Sequence, residues 1–121
     1  MAKHLETGAL GEAAAVQYLR EAGYEILETN WRHSRAEIDI IAKEGEVLIF
    51  AEVKTRRSDF SPPQASVTTK KQKLLTRAAR GYMEMVNHNW LFRFDVFAIH
   101  LVNENDIRIE HLKDAFFPGL S

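Results

Sequence analysis

Residues 36–57 read AEIDIIAKEGEVLIFAEVKTRR, from Ala36 to Arg57. Two apolar, β-branched runs flank Lys43-Glu44-Gly45, the pattern of two strands joined by a tight turn. Ala36–Ala42 and Glu46–Thr55 are predicted as that hairpin. Asp39 interrupts the first run, and Glu52 and Lys54 interrupt the second. Charges in such strands are costly unless they pair, coordinate a cation or line a cleft.

Strand side chains alternate between faces. Glu37, Asp39 and Ile41 therefore share one face, as do Leu48, Phe50, Glu52 and Lys54. A two-residue loop at Glu44-Gly45 pairs Lys43 with Glu46, and a four-residue loop pairs Ala42 with Val47. Both set Asp39 opposite Phe50 and Glu37 opposite Glu52. Asp39 and Glu52 become diagonal neighbours, roughly 7–8 Å apart at the backbone, and can converge on one cation. A three-residue loop would separate them. Two carboxylates suit Mg²⁺ (or Mn²⁺), which keeps several waters and can activate one of them against a phosphate. Lys54, on the same face, can position that water or neutralise the phosphorus centre. The plainer reading is an ion-pair cluster at a sheet end. The apolar surroundings of the acids favour the cation site.

Outward from the hairpin, a basic segment begins at Lys54. Lys54, Arg56, Arg57, Lys70, Lys71, Lys73, Arg77 and Arg80 face one acid, Asp59, although the whole chain carries a formal net charge of −1. Such segregation marks either a polyanion site or a solvated helix face. The 121-residue length fits one domain, 1–121. With no cysteine and five scattered histidines, disulfides are excluded and a zinc site is not expected. No apolar run is long enough to span a membrane. MAKHLETGALGEAAA lacks the apolar core of a signal peptide, so a cytoplasmic location is expected.

The remaining pattern predicts the order αβββαββ. Leu5–Ala22 reads as a helix stopped by Gly23, and Tyr24–Arg32 as a strand. RRSDFSPPQAS reads as a loop. Thr68 or Thr69 caps a helix running to about Asn87. Leu91–Val102 and Asp106–Leu112 are strands around a turn at Asn103–Asn105. An α/β fold with a mixed sheet and flanking helices follows. On the first helix Glu12 shares a stripe with Ala15, Val16 and Leu19, so it faces inward or borders the apolar face. An acid favoured by the helix dipole explains it equally well. Leu74, Leu75, Ala78, Ala79 and Tyr82 form the expected buried stripe of the second helix. Trp31, Trp90, Phe116 and Phe117 could stack on bases, but core packing or a docking tail is the plainer reading.

Asp39 followed by Glu52-Val53-Lys54 resembles the D…(D/E)-x-K signature of restriction-endonuclease-like nucleases. A wider set of stretches resembles the YraN-like family of small bacterial proteins, predicted nucleases: GALGEAAAVQYL (Gly8–Leu19), AGYEILETNWR (Ala22–Arg32), AEIDIIA (Ala36–Ala42), LIFAEVKTRR (Leu48–Arg57), TKKQKLLTRAARGYM (Thr69–Met83) and RFDVFAI (Arg93–Ile99). The resemblance implies a restriction-endonuclease-like three-layer sandwich, similar to archaeal Holliday-junction resolvases. It implies Asp39 and Glu52 as metal ligands, the Val53 carbonyl as a further oxygen, Lys54 as the water-positioning cation and Glu12 as an outer ligand. Ile38 replaces the proline of the signature's name. Ala36 stands where the family usually has glycine, and would be strained by roughly 1 kcal/mol if that position needs a positive φ. Glu37 either supports the metal or bends out at the strand edge. Arg56, Arg57, Lys70, Lys71, Lys73 and Arg77 would contact phosphates.

The expected function is Mg²⁺-dependent hydrolysis of DNA phosphodiesters, with branched or damaged DNA among the candidate substrates. A catalytically silent nucleic-acid-binding module, partner in a repair or recombination complex, is the alternative. The modest charge suits a helper or a homodimer that pools two basic helices. A purely structural domain would bind no nucleic acid.

Overall fold

The computed structural model describes residues 3–57, 66–103 and 105–116, with side chains from residue 7 onward. The elements are α1 (Lys3–Glu21), β1 (Glu25–His33), β2 (Ala36–Glu44), β3 (Val47–Arg56), α2 (Thr69–Met85), β4 (Phe92–Asn103) and β5 (Asp106–Phe116). Their order is the predicted αβββαββ. The centre of the expected Pro-Pro loop and Phe117 lie outside the described residues.

One five-stranded sheet runs β1-β2-β3-β4-β5. It is mixed: β3 and β4 are parallel and the other neighbours antiparallel. The parallel step needs a crossover, which α2 supplies. Ala15 and Leu19 of α1 pack with Ile40, Ala42, Ile49, Ala51, Phe97 and Ile99. Leu75, Ala78, Ala79 and Tyr82 of α2 pack with Ile38, Ile41, Leu48, Phe50 and Phe94. Successive β3 residues thus feed opposite clusters, so each helix covers its own face of the sheet.

Helix ends follow from local chemistry. Gly23, at φ +93, closes α1: its N–H donates to the Arg20 carbonyl at 3.0 Å, and Tyr24 N–H to that of Leu19 at 2.9 Å. This is the paired bond pattern of a glycine-terminated helix. Of the two threonines, Thr68 is the N-cap of α2, its hydroxyl accepting from Lys71 N–H at 3.2 Å.

Three expectations are corrected. The β2–β3 turn is Gly45-Glu46, because Glu44 pairs with Val47. Gly45 takes φ +59 at the first turn position, where tight hairpins with matching twist need it. The register is therefore displaced by two residues: Ile41, not Asp39, pairs with Phe50. Continued past its last pair, Ile40 with Ala51, the ladder sets Asp39 rather than Glu37 level with Glu52. Face parity holds from Leu48 to Ala51 and from Ile40 to Ala42, but Ile38 joins Ile41 in one cluster, so Glu37 does not share the face of Ile41 as expected. Second, Ala36 is ordinary strand, because Ser34 takes the positive φ of the β1–β2 turn, at 57°. Third, β5 runs on to Phe116, which stacks on Phe94 with ring centres 4.7 Å apart. Trp31 likewise packs against the α2 cluster. The core reading of both rings holds.

Candidate functional site

The site lies where β2 leaves β3. Ile38 joins the α2 cluster and Ile40 the α1 cluster, although they are two residues apart. Strand alternation therefore breaks at Asp39. In place of a ladder bond, Val53 N–H donates to the Asp39 carboxylate at 2.8 Å. A strand residue aims its N–H and C=O at the same neighbour, so the Val53 carbonyl also faces this gap.

Glu52 reaches the gap from β3, with its side chain only 12% exposed. Burial first, then the charge of Asp39 and a hydrogen bond shared with it, push the Glu52 carboxyl up to about 7. Lys71, 3.4 Å away on α2, opposes the shift and does not cancel it. The Thr68 cap seats Lys71 in the first turn of α2, beside Glu52.

Glu12 enters from α1. A Cβ on Gly11 would lie 2.7 Å from the Thr55 Cβ, so only glycine lets α1 approach the end of β3 so closely. The Glu12 carboxylate accepts a hydrogen bond from Asn30 Nδ2 at 3.0 Å. Burial first raises its pKa, the Asn30 bond lowers it, and the charges of Asp39 and Glu37 raise it further. Asn30 lies on β1 between the pairs Thr29–Ile40 and Trp31–Ile38, beside Asp39, and has φ +52.

A family model described as "Uncharacterised protein family UPF0102" matches residues 11–99, a span that contains all of these residues. The chain belongs to the UPF0102 family. A UPF0102 protein of Christiangramia forsetii is 48% identical over 118 residues, 97% of this chain and 98% of that one. One from Bacteroides thetaiotaomicron is 43% identical over 122 residues, covering 99% of each. One from Rhodococcus opacus is 43% identical over 118 residues, 96% of this chain and 100% of its own.

In this UPF0102 chain the other predicted residues have other partners or face solvent. Lys54 is tied elsewhere: its ammonium donates to the Ser66 carbonyl ahead of α2. The lysine that meets the acids is Lys71. Glu37 pairs with Arg32 at 3.7 Å, and its charge is felt at Glu12 rather than at Glu52. Lys70, Lys73 and Arg77 are exposed along α2. Arg56 is exposed at the end of β3, and Arg57 donates to Thr7 Oγ1 of α1 at 3.1 Å.

Two features escaped sequence reasoning. The Lys71–Glu52 pair joins separate elements, and no local pattern encodes it. Asn30 did leave a signal, because asparagine is poor in strands and tolerates the left-handed conformation.

Among the described residues no three His, Cys, Asp or Glu side chains gather as a metal-binding group. The donor set is a carboxylate pair, Asp39 and Glu52, with the Val53 carbonyl beside it. That set fits Mg²⁺ or Mn²⁺, which take one or two carboxylates and fill their remaining positions with water and phosphate oxygens.

Proposed function

We propose that this chain is a metal-dependent nuclease with a restriction-endonuclease-like three-layer sandwich, hydrolysing phosphodiester bonds in DNA, branched or damaged DNA foremost. One observation carries the reading: Asp39 and Glu52 meet at a split in the sheet, and the pair leaves Glu52 with its proton held to about 7. Two adjoining part-buried acids with one partial counter-charge are what a divalent cation would relieve.

Asp39, Glu52 and the Val53 carbonyl would hold Mg²⁺ or Mn²⁺, which supplies Lewis acidity and an activated water. Glu12, steadied by Asn30, would orient water at the edge of that centre. Lys54 and Lys71 would neutralise the scissile phosphate, Lys54 after leaving the Ser66 carbonyl and Lys71 after leaving Glu52. The exposed bases of α2 would hold flanking phosphates, and a homodimer would pool two such helices.

The test is incubation with labelled linear, single-stranded and four-way-junction DNA plus Mg²⁺ or Mn²⁺, beside Asp39→Asn and Lys54→Ala. Cleavage that both substitutions and a chelator abolish supports the reading. One observation favours a second reading: Lys71 already occupies Glu52 and Lys54 is bound to a backbone carbonyl. Gel retardation without cleavage would establish the silent binding module. Neither cleavage nor retardation would overturn both.

A further inference from the structure

β5 closes one edge of the sheet, with β4 as its one neighbour among the described residues. The opposite edge, β1, is blunted: its register shifts between Ile26 and Glu28, and Asn30 takes a φ of 52°. The middle of β5 has no such guard. Ile107–Leu112 pair with Leu101–Val96 without a shift, and contain no proline or glycine. Bulges and prolines keep an edge from pairing with another chain, and a flat run invites it. Irregularity returns only at the two ends. The register shifts ahead of Ile107 and beyond Leu112, where Asp114 takes φ 55° and its N–H donates to Asp95.

Directly paired residues share a face. Ile107, Ile109 and His111 therefore lie on the α1 face, with Leu101, Ile99 and Phe97. α1 packs chiefly over β3 and β4. A groove of about 420 Å³ remains between α1 and β5, its walls including Leu10, Ala13, Ala14, Tyr18, Ile107 and Ile109. Leu10, Tyr18 and Ile107 are 48%, 37% and 46% exposed. Single exposed apolar residues are ordinary, but three in one groove mark an interaction surface.

The charges on the other face of β5 fit a second copy. Arg108 and Glu110 are both exposed there. Arg108 has Asp106 at 3.1 Å, and among the described residues no ion pair or side-chain hydrogen bond engages Glu110. A two-fold axis between antiparallel β5 strands must pass through a single residue, because opposed residues share a face. Through Arg108 or Glu110, it sets that charge against its own copy. Through Ile107 or His111, half of the overlap falls on an irregular end of the strand. Through Ile109, the overlap stays on the flat run. Arg108 then opposes Glu110 of the second copy, twice over, while Ile109 opposes itself and Ile107 opposes His111. Tyr18 packs edge-on against His111 at 5.6 Å, so Ile107 of the second copy arrives beside Tyr18.

We propose that β5 pairs antiparallel with β5 of a second copy about Ile109, joining two five-stranded sheets into one. The axis carries each face onto itself, so both α1 helices share one face of the joined sheet and both α2 helices the other. One strand pair and its groove make a small interface, so association in the micromolar range is expected. This surface is separate from the carboxylates, and the proposal stands whether or not the chain cleaves DNA.

The experiment is sedimentation of the full chain across a concentration series, with circular dichroism as the check on folding. The unaltered chain should sediment as a dimer that dissociates on dilution. Arg108→Glu sets two acids against each other at both ends of the pairing, and Glu110→Arg sets two bases. Each should weaken the dimer about thirtyfold. An equimolar mixture of the two single variants matches every charge again and should dimerise, as should the double variant R108E/E110R. Ile107→Lys, also at an exposed position, should abolish the dimer without touching those charges. A monomer at every concentration would overturn the proposal. So would a dimer indifferent to the single substitutions, or single variants that stay apart when mixed.

Discussion

Asp95 and Glu52 are both acids on central strands of one sheet, and the fold treats them in opposite ways. Asp95 is wholly buried. Arg93 donates to both its oxygens at 2.9 and 3.2 Å, His111 Nε2 lies at 2.7 Å, and Asp114 N–H donates at 3.0 Å. Burial alone would raise its pKa, but these bonds and the Arg93 charge hold it below the usual value. Arg93 is itself engaged by Glu44 at 3.1 Å and Tyr24 at 2.8 Å. Glu52 has one lysine at 3.4 Å and a second carboxylate as neighbour. A buried acid with every oxygen matched is architecture. A half-buried acid set against another acid is a cost to the fold, and such costs collect at functional sites.

The sharpest way to break this comparison is to remove each acid. Asp95→Ala should destabilise the fold by ~3–5 kcal/mol, because it strands Arg93 in a half-buried site. Glu52→Gln should cost nothing, or stabilise the fold, in metal-free buffer at pH 8. Thermal melts check both. Equal losses would erase the distinction.

Acidity offers a second test. The folded-state pKa of Glu52, about 7, lies above its ordinary 4.5. Between those values the folded chain binds more protons than the unfolded one, so stability falls as pH rises. The fall should be at most ~3 kcal/mol, complete slightly above pH 7. Urea titrations across this window should show it in the unaltered protein and not in Glu52→Gln. Saturating Mn²⁺ should flatten the slope as well.

Gly11→Ala should cost ~1–3 kcal/mol by pushing α1 off Thr55, and Gly11→Ala with Thr55→Ala should recover part of it. A smaller loss than at Gly11 is expected at Asn30. Asn30→Ala should cost about 1 kcal/mol, since its positive φ disfavours a Cβ without a compensating polar bond. Asn30→Gly should relieve the backbone yet still free Glu12. Denaturant midpoints separate these two.

Much of this was legible before any coordinates. Alternating apolar residues and glycine stops marked the seven elements, and β-period parity put Asp39 and Glu52 on one face. Parity survives a register shift of two, so the shared face of Ile41 and Phe50 was readable while the exact partners, and the break in alternation at Asp39, were not. Gly45 could occupy either position of a two-residue turn, and only the ladder decides which. The polar end of β5 hid its length, because Phe116 is held by Phe94 across the sheet rather than by a local pattern. Lys71 read as a phosphate contact since its partner comes from another element. Lys54 shares the face of Glu52, as parity requires, but the chain before α2 claims its ammonium.

The nuclease proposal stands or falls on whether Asp39 and Glu52 form one divalent-cation site. Calorimetric titration of Mn²⁺ into the full chain at pH 6 and pH 8 tests it most directly. Such a site should take one Mn²⁺ per chain, bind it more tightly at pH 8, release a proton at pH 6, and lose it in Asp39→Asn and Glu52→Gln alike. Mn²⁺ binding that ignores both substitutions, or none at either pH, would contradict it.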